Sequence, residues 1–135
     1  MRVCGDSPLL DINLIQKGIK CYNENNFDIV TNTLNRSFPK GQSIEIVNAG
    51  SFINAYAKIE TTLEYYEHVT KYFYKNPDEF KIHNISSGEN AGNIQLSVDT
   101  VEDMNLIEKI IKQMKKPHWE YTWKEVLKIR EEVLK

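Results

Sequence analysis

Cysteine is scarce in this 135-residue chain: Cys4 and Cys21 are the only two. They stand too far apart for a CxxC motif and no second pair exists, which excludes a disulfide framework and a structural zinc site. The expected state is two reduced, buried thiols of a cytosolic protein. Histidine is also sparse, and His68, His83 and His118 lack the HxxxH or HExxH spacing of a histidine metal site. Neither sign of charge dominates. Seventeen basic against 19 acidic side chains give a net charge of −2, without the basic excess that neutralises nucleic-acid phosphates. No apolar run approaches the length of a membrane span. A basic-then-apolar leader is missing as well. These absences lead to the expectation of a cytoplasmic protein with neither a membrane nor a nucleic-acid partner.

What is present is a regular alternation of strand-like and helix-like segments. Arg2-Val3-Cys4 reads as a short strand and Gly5-Asp6-Ser7-Pro8 as a turn. Asp11 caps a helix whose Ile12, Ile15, Ile19 and Tyr22 recur at three- and four-residue steps, and Asn23-Glu24-Asn25-Asn26 ends it. Strands are predicted at residues 27–30, 43–47, 80–85 and 94–98. A polar loop containing Pro39 fills residues 31–41. Ser51 is the predicted cap of the helix FINAYAKI. Leu63, Tyr66, Val69, Thr70 and Phe73 place a further helix over residues 62–75, stopped by Asn76-Pro77. Met104, Ile107, Ile110, Ile111 and Met114 mark another, and Thr122 caps a last one carrying Trp123, Val126, Leu127, Ile129 and Leu134. Without repeat or linker, residues 1–135 form a single domain of α/β class, with a sheet at least partly parallel.

In such sheets ligands gather beyond the carboxyl ends of the strands. Two aspartates fall there: Asp6 after the opening strand, and Asp99 after residues 94–98. Each has a structural reading. Asp6 can form a side-chain-bonded turn, and Asp99 or Thr100 can cap the following helix, with Glu102 and Asp103 near its positive end. Together the two carboxylates make a hard oxygen site suited to Mg²⁺, which takes few protein ligands and keeps waters or phosphates. Periodicity alone does not make their strands neighbours.

The order of four segments adds to this reading: GDSPLLD (Gly5–Asp11), NNFDIVTNTLNRSFPKGQSIEI (Asn25–Ile46), EHVTKYFYKNP (Glu67–Pro77) and LSVDTVEDMNLI (Leu96–Ile107). In this order the chain resembles the cytidylyltransferases of the spore-coat polysaccharide biosynthesis type, relatives of the CMP-KDO and CMP-sialate synthetases. The resemblance implies a nucleotide-diphospho-sugar-transferase-like (GT-A-like) mixed sheet flanked by helices. The activity it implies is transfer of CMP from CTP to a sugar or sugar-acid acceptor, with Mg²⁺ and release of pyrophosphate. Asp6 and Asp99 are then the metal and phosphate ligands. Asn32, Arg36, Lys40 and Glu45 become candidates for acceptor contact, as do Glu67 and His68. Against these stand solvated loop charges for Arg36 and Lys40, a solvent-facing strand residue for Glu45, and a partly buried hydrogen-bonding histidine for His68. Tyr65, Tyr66, Tyr72 and Tyr74 read as packing.

The chain also departs from the family pattern. Ser43 stands where an acid is usual, Tyr66 where a basic residue is usual, and Lys71 where proline is usual. No segment matches the family's phosphate-gripping loop of the form RxxSxRLPGK. The expectation is a C-terminal portion of the fold lacking the N-terminal nucleotide-binding strands, with an unpaired opening strand that favours a homodimer or a complementing N-terminal half. Two further readings accompany it: a non-catalytic sugar-binding or assembly module, and a metal-dependent glycosyltransferase.

Overall fold

The computed structural model describes residues 1–59, 65, 68 and 70–135. Among them lie α1 (Ile12–Asn23), β1 (Ile29–Thr31), β2 (Glu45–Val47), α2 (Ala49–Lys58), α3 (Lys71–Lys75), β3 (Ile82–Asn84), α4 (Val101–Gln113) and α5 (Trp123–Val133). The sheet is small and mixed, in the order β2-β1-β3. β1 runs antiparallel to β2 and parallel to β3.

Asp11 starts α1 as the sequence predicts: its Oδ1 accepts the Asn13 N–H at 2.8 Å. Its Oδ2 accepts the Trp123 N–H at 2.9 Å, so one buried carboxylate ties together the first turns of α1 and α5. Gly18 lets α1 lie directly on the sheet. A Cβ there would come within 2.5 Å of the Ile44 Cδ1 atom.

Successive residues of β1 serve opposite faces, as the pleat requires. Val30 packs with Leu14, Ile44 and Ile46 on the α1 side. Ile29 packs with Ala55 and Phe73 on the α2 and α3 side. Phe73 is fully buried, a placement worth on the order of 2–3 kcal/mol. A third cluster joins α4 to α5 through Ile107, Ile110 and Val126, and holds Leu9 and Leu96 against them. Thr100 and Thr122 each begin their helix with a capping box, closed by Asp103 and Glu125.

Four predictions change in the structure. Residues 2–4 are not a strand; Arg2 makes one antiparallel bridge to Glu45. Residues 94–98 are not a strand either, and make one parallel bridge, Lys40 to Gln95. The physical reason is a change of partner: the Ile94 carbonyl and Leu96 N–H bond Lys40, whereas the Val98 N–H bonds the Asp6 carbonyl. No single neighbour runs alongside long enough to build a ladder. The helix predicted to start at Ser51 begins earlier, because Asn48 is the cap and its Oδ1 accepts the Ser51 N–H at 3.0 Å. The two cysteines are free, as expected, yet half-buried rather than enclosed. Much of the helix predicted for residues 62–75, with Leu63, Tyr66 and Val69, lies outside the described residues; α3 is its described end. No described helix is long and apolar enough to cross a membrane.

Candidate functional site

The register of the sheet sets up one row of side chains. Thr31 lies opposite Glu45 on one side and Asn84 on the other, and Arg2 bridges Glu45 from beyond. Residues directly across a sheet share a face. Here that face is the one covered by α3, and Tyr74 reaches back to the row. Its hydroxyl bonds the Glu45 Oε1 atom and contacts Thr31 Oγ1 at 3.1 Å and Thr33 Oγ1 at 3.2 Å. Thr70 donates to the same Oε1 at 2.7 Å, and Arg2 Nη1 donates to Oε2 at 2.7 Å. A carboxylate only 6% exposed thus has both oxygens engaged. Burial first, then the Glu45 charge, pushes the Tyr74 phenol well above its ordinary range, so it stays protonated and donating. The hydrogen bond to Glu45 likewise raises the Arg2 guanidinium.

Arg2, Glu45 and Tyr74 of this row line a cavity of 510 Å³ beyond the carboxyl end of β1, where Asp6, Arg36 and His68 join them. An adjoining cavity of 240 Å³ is lined by Asp6, Arg36 and Lys40, and the two share Cys4 and Ser43. Four of the predicted site residues therefore line the larger cavity, and Lys40 joins Asp6 and Arg36 in the smaller one. Arg36 donates to the Ser43 hydroxyl at 3.0 Å, a neutral partner where the family pattern has an acid.

The other three predicted site residues fall differently. Asn32 is fully buried and lines neither cavity. Its amide donates to the Gln42 carbonyl at 2.6 Å and its carbonyl accepts the Ile44 N–H at 2.9 Å. It shapes the loop instead of facing a ligand. Asp99 lies outside both linings, exposed, at the base of α4. Glu67 is outside the described residues.

Asp6 and Asp99 are nonetheless brought close in the fold, because the Val98 N–H bonds the Asp6 carbonyl at 2.9 Å. Asp6 Oδ1 accepts from Ser7 at 2.8 Å, and Asp99 Oδ2 accepts from Gln95 at 2.7 Å. The second oxygen of each has no hydrogen-bond partner among the described residues. Thr100 takes the capping role, leaving Asp99 free of it, while the backbone N–H of Asp99 holds the Asp103 carboxyl below the usual range. Hard oxygens with unengaged lone pairs fit a cation that keeps most of its waters. No group of three or more His, Cys, Asp or Glu gathers among the described residues.

Sequence reasoning missed Arg2, Gln42, Thr70 and Tyr74. Gln42 is fully buried; it donates to the Leu9 carbonyl at 2.8 Å and accepts the Asp11 N–H at 2.9 Å, fastening the acid-bearing turn to the loop. Gly41 beside it has φ +90° and sits so close to Leu96 that a Cβ would lie 2.6 Å from its carbonyl carbon. Thr70 and Tyr74 both lie within the quoted segment EHVTKYFYKNP, which was the available signal.

Comparisons with known proteins bear on the family and the fold. The chain is 32% identical over 108 residues to an uncharacterized protein of Methanocaldococcus jannaschii, covering 78% of this chain and 43% of that one. Its fold matches the structure of a cytidylyltransferase from Leptospira borgpetersenii with a TM-score of 0.86 at 22% identity, covering 97% of this chain and 55% of that one. The chain thus spans about half the length of these proteins. The family model for cytidylyltransferases matches residues 1–132, and the chain belongs to that family.

Proposed function

We propose that this chain supplies the acceptor and metal side of a nucleotidyltransferase site that activates a sugar or sugar acid with CTP and releases pyrophosphate, for surface polysaccharide or glycan synthesis. The observation that carries this reading is the convergence of Asp6, Arg36, Glu45 and His68 on one cavity, in a chain of the cytidylyltransferase family. Asp6 and Asp99 would hold Mg²⁺, which when bound neutralises triphosphate charge and stabilises the displaced phosphoryl oxygens. Arg36 and Lys40, flanking Asp6 in the smaller cavity, add positive charge where phosphate oxygens would lie. Glu45 and His68 face the larger cavity and contact the acceptor. The GT-A-like fold and a nucleotide-binding part supplied by further sequence belong to the same reading.

The test is pyrophosphate release from CTP and Mg²⁺ with a panel of sugars and sugar acids. It is run with the chain alone and with a cytidylyltransferase nucleotide-binding half added in trans. Release in either format that disappears in Asp6→Asn supports the reading. Sugar binding with no response to CTP in both formats overturns it in favour of a non-catalytic binding module.

A further inference from the structure

The Arg2–Glu45 pair has binding capacity that its own contacts leave over. A carboxylate offers about four acceptor positions and a guanidinium five donors. Glu45 takes three hydrogen bonds, two at Oε1 and one at Oε2, and Arg2 gives it one donor. Both residues line the 510 Å³ cavity, with the Arg2 side chain 40% exposed.

We propose that Arg2 and Glu45 act as one recognition unit that reads two neighbouring hydroxyl groups of the acceptor, with Thr70 and Tyr74 as positioning residues. This rests on the reading of the cavity as the acceptor side. A hydroxyl both donates and accepts, so a vicinal diol matches an acceptor atom and a donor atom held side by side. Nη1 and Oε2, 2.7 Å apart, have the spacing of two adjacent hydroxyl oxygens. A ligand carboxylate would suit Arg2 alone, but Glu45 beside it repels one. The unit therefore selects a neutral, polyhydroxylated face. Any acidic group of the acceptor is directed toward Arg36, which lines the same cavity beside Ser43. The Ser43 and Thr33 hydroxyls on the same wall extend the match.

Precision comes from the supports. Arg2 is fixed to β2 by its backbone bridge as well as its side chain, with N–H to carbonyl distances of 2.7 and 3.3 Å. Thr70 and Tyr74 hold the other carboxylate oxygen from the α3 side. The protonated phenol keeps Glu45 in one orientation over the working pH range.

Saturation-transfer NMR on the 135-residue chain, with D-mannose, D-galactose, D-glucose and 2-deoxy-D-glucose as probes, tests the unit. Transfer to ring protons of at least one hexose is expected. Arg2→Lys and Glu45→Gln should weaken it roughly tenfold, as loss of a hydrogen-bonded pair would. Arg2→Lys separates recognition from structure. It keeps the ion pair and the melting temperature but loses the planar guanidinium that fixes a donor beside Oε2. No transfer to any hexose, or transfer unchanged in both variants, overturns the proposal. Pyrophosphate release from CTP and Mg²⁺ by the same protein, with a cytidylyltransferase nucleotide-binding half added in trans, reports on the nucleotidyltransferase reading separately: loss of one signal with retention of the other shows which of the two has failed.

Discussion

Two carboxylate regions sit at the same end of the sheet and are built in opposite ways. Glu45 is buried, with three donors closing on it from two separate segments, Arg2 from one and Thr70 and Tyr74 from the other. Asp6 and Asp99 are exposed, each with one hydrogen bond from a close sequence neighbour and one oxygen without a partner among the described residues. A buried carboxylate must be compensated or it destabilises the fold, whereas an exposed one can leave its lone pairs for a ligand. The same residue class therefore serves as a fixed fitting in one place and as open coordination capacity in the other.

The contrast breaks most visibly at Glu45. Glu45→Ala strands the Thr70 hydroxyl and one Arg2 donor and removes the charged partner of Tyr74. A loss of about 2–4 kcal/mol is expected in urea denaturation, since the orphaned groups carry desolvation penalties and Arg2 remains partly solvated. Glu45→Gln should lose less, because its carbonyl still accepts. Equal losses for the two variants would show that side-chain volume, not hydrogen bonding, sets the cost.

Tyr74 sharpens the contrast through pH. Its folded-state pKa lies above the ordinary 10.0, so the unfolded chain releases the phenolic proton first as pH rises. The stability tied to that proton is complete below pH 10 and declines above it. Wild type should therefore lose more melting temperature than Tyr74→Phe between about pH 9 and 11. The difference between the two scans isolates this group from the other tyrosines and lysines. Parallel scans would place the Tyr74 hydroxyl in water.

How far the sequence could reveal these regions follows from the distance over which each signal acts. Capping is local, so Asp11 and Thr122 were legible, and for α4 the choice narrowed to Asp99 or Thr100. The faces were only partly so: α1 buries Leu14 and Gly18 while the predicted Ile12 and Ile19 are exposed, and α4 buries Ile107 and Ile110 while Met104 and Ile111 are exposed. The strand at residues 94–98 failed because alternation reports burial of alternate residues, not which chain lies alongside. Leu96 is buried without any continuous ladder. At Asn32 the residue was noticed, but its burial and its two backbone partners were not legible. A buried amide satisfying two backbone groups of a loop looks, in sequence, like a polar residue awaiting substrate. Gln42 went unnoticed for the same reason. The Arg2–Glu45–Tyr74 row depends on register and on α3 crossing above it, which are both long-range facts.

The smallest expected effect belongs to the exposed pair. In Asp6→Asn the side-chain carbonyl still accepts from Ser7, and in Asp99→Asn it still accepts from Gln95. The cap of α4 is untouched because Asp103 binds the Asp99 backbone N–H and not its side chain. Neither variant opens a cavity or buries an unpaired group, so unfolding free energy should change by less than about 0.5 kcal/mol. What each removes is negative charge on an oxygen with no partner among the described residues, which matters only when a cation or a phosphate-bound ion is present. Denaturation curves that superimpose on wild type without Mg²⁺, together with loss of the small stabilisation that saturating Mg²⁺ gives to wild type, would place these two acids in service of a ligand. A drop of more than about 1 kcal/mol in the metal-free curves would instead return them to the fold, alongside Glu45.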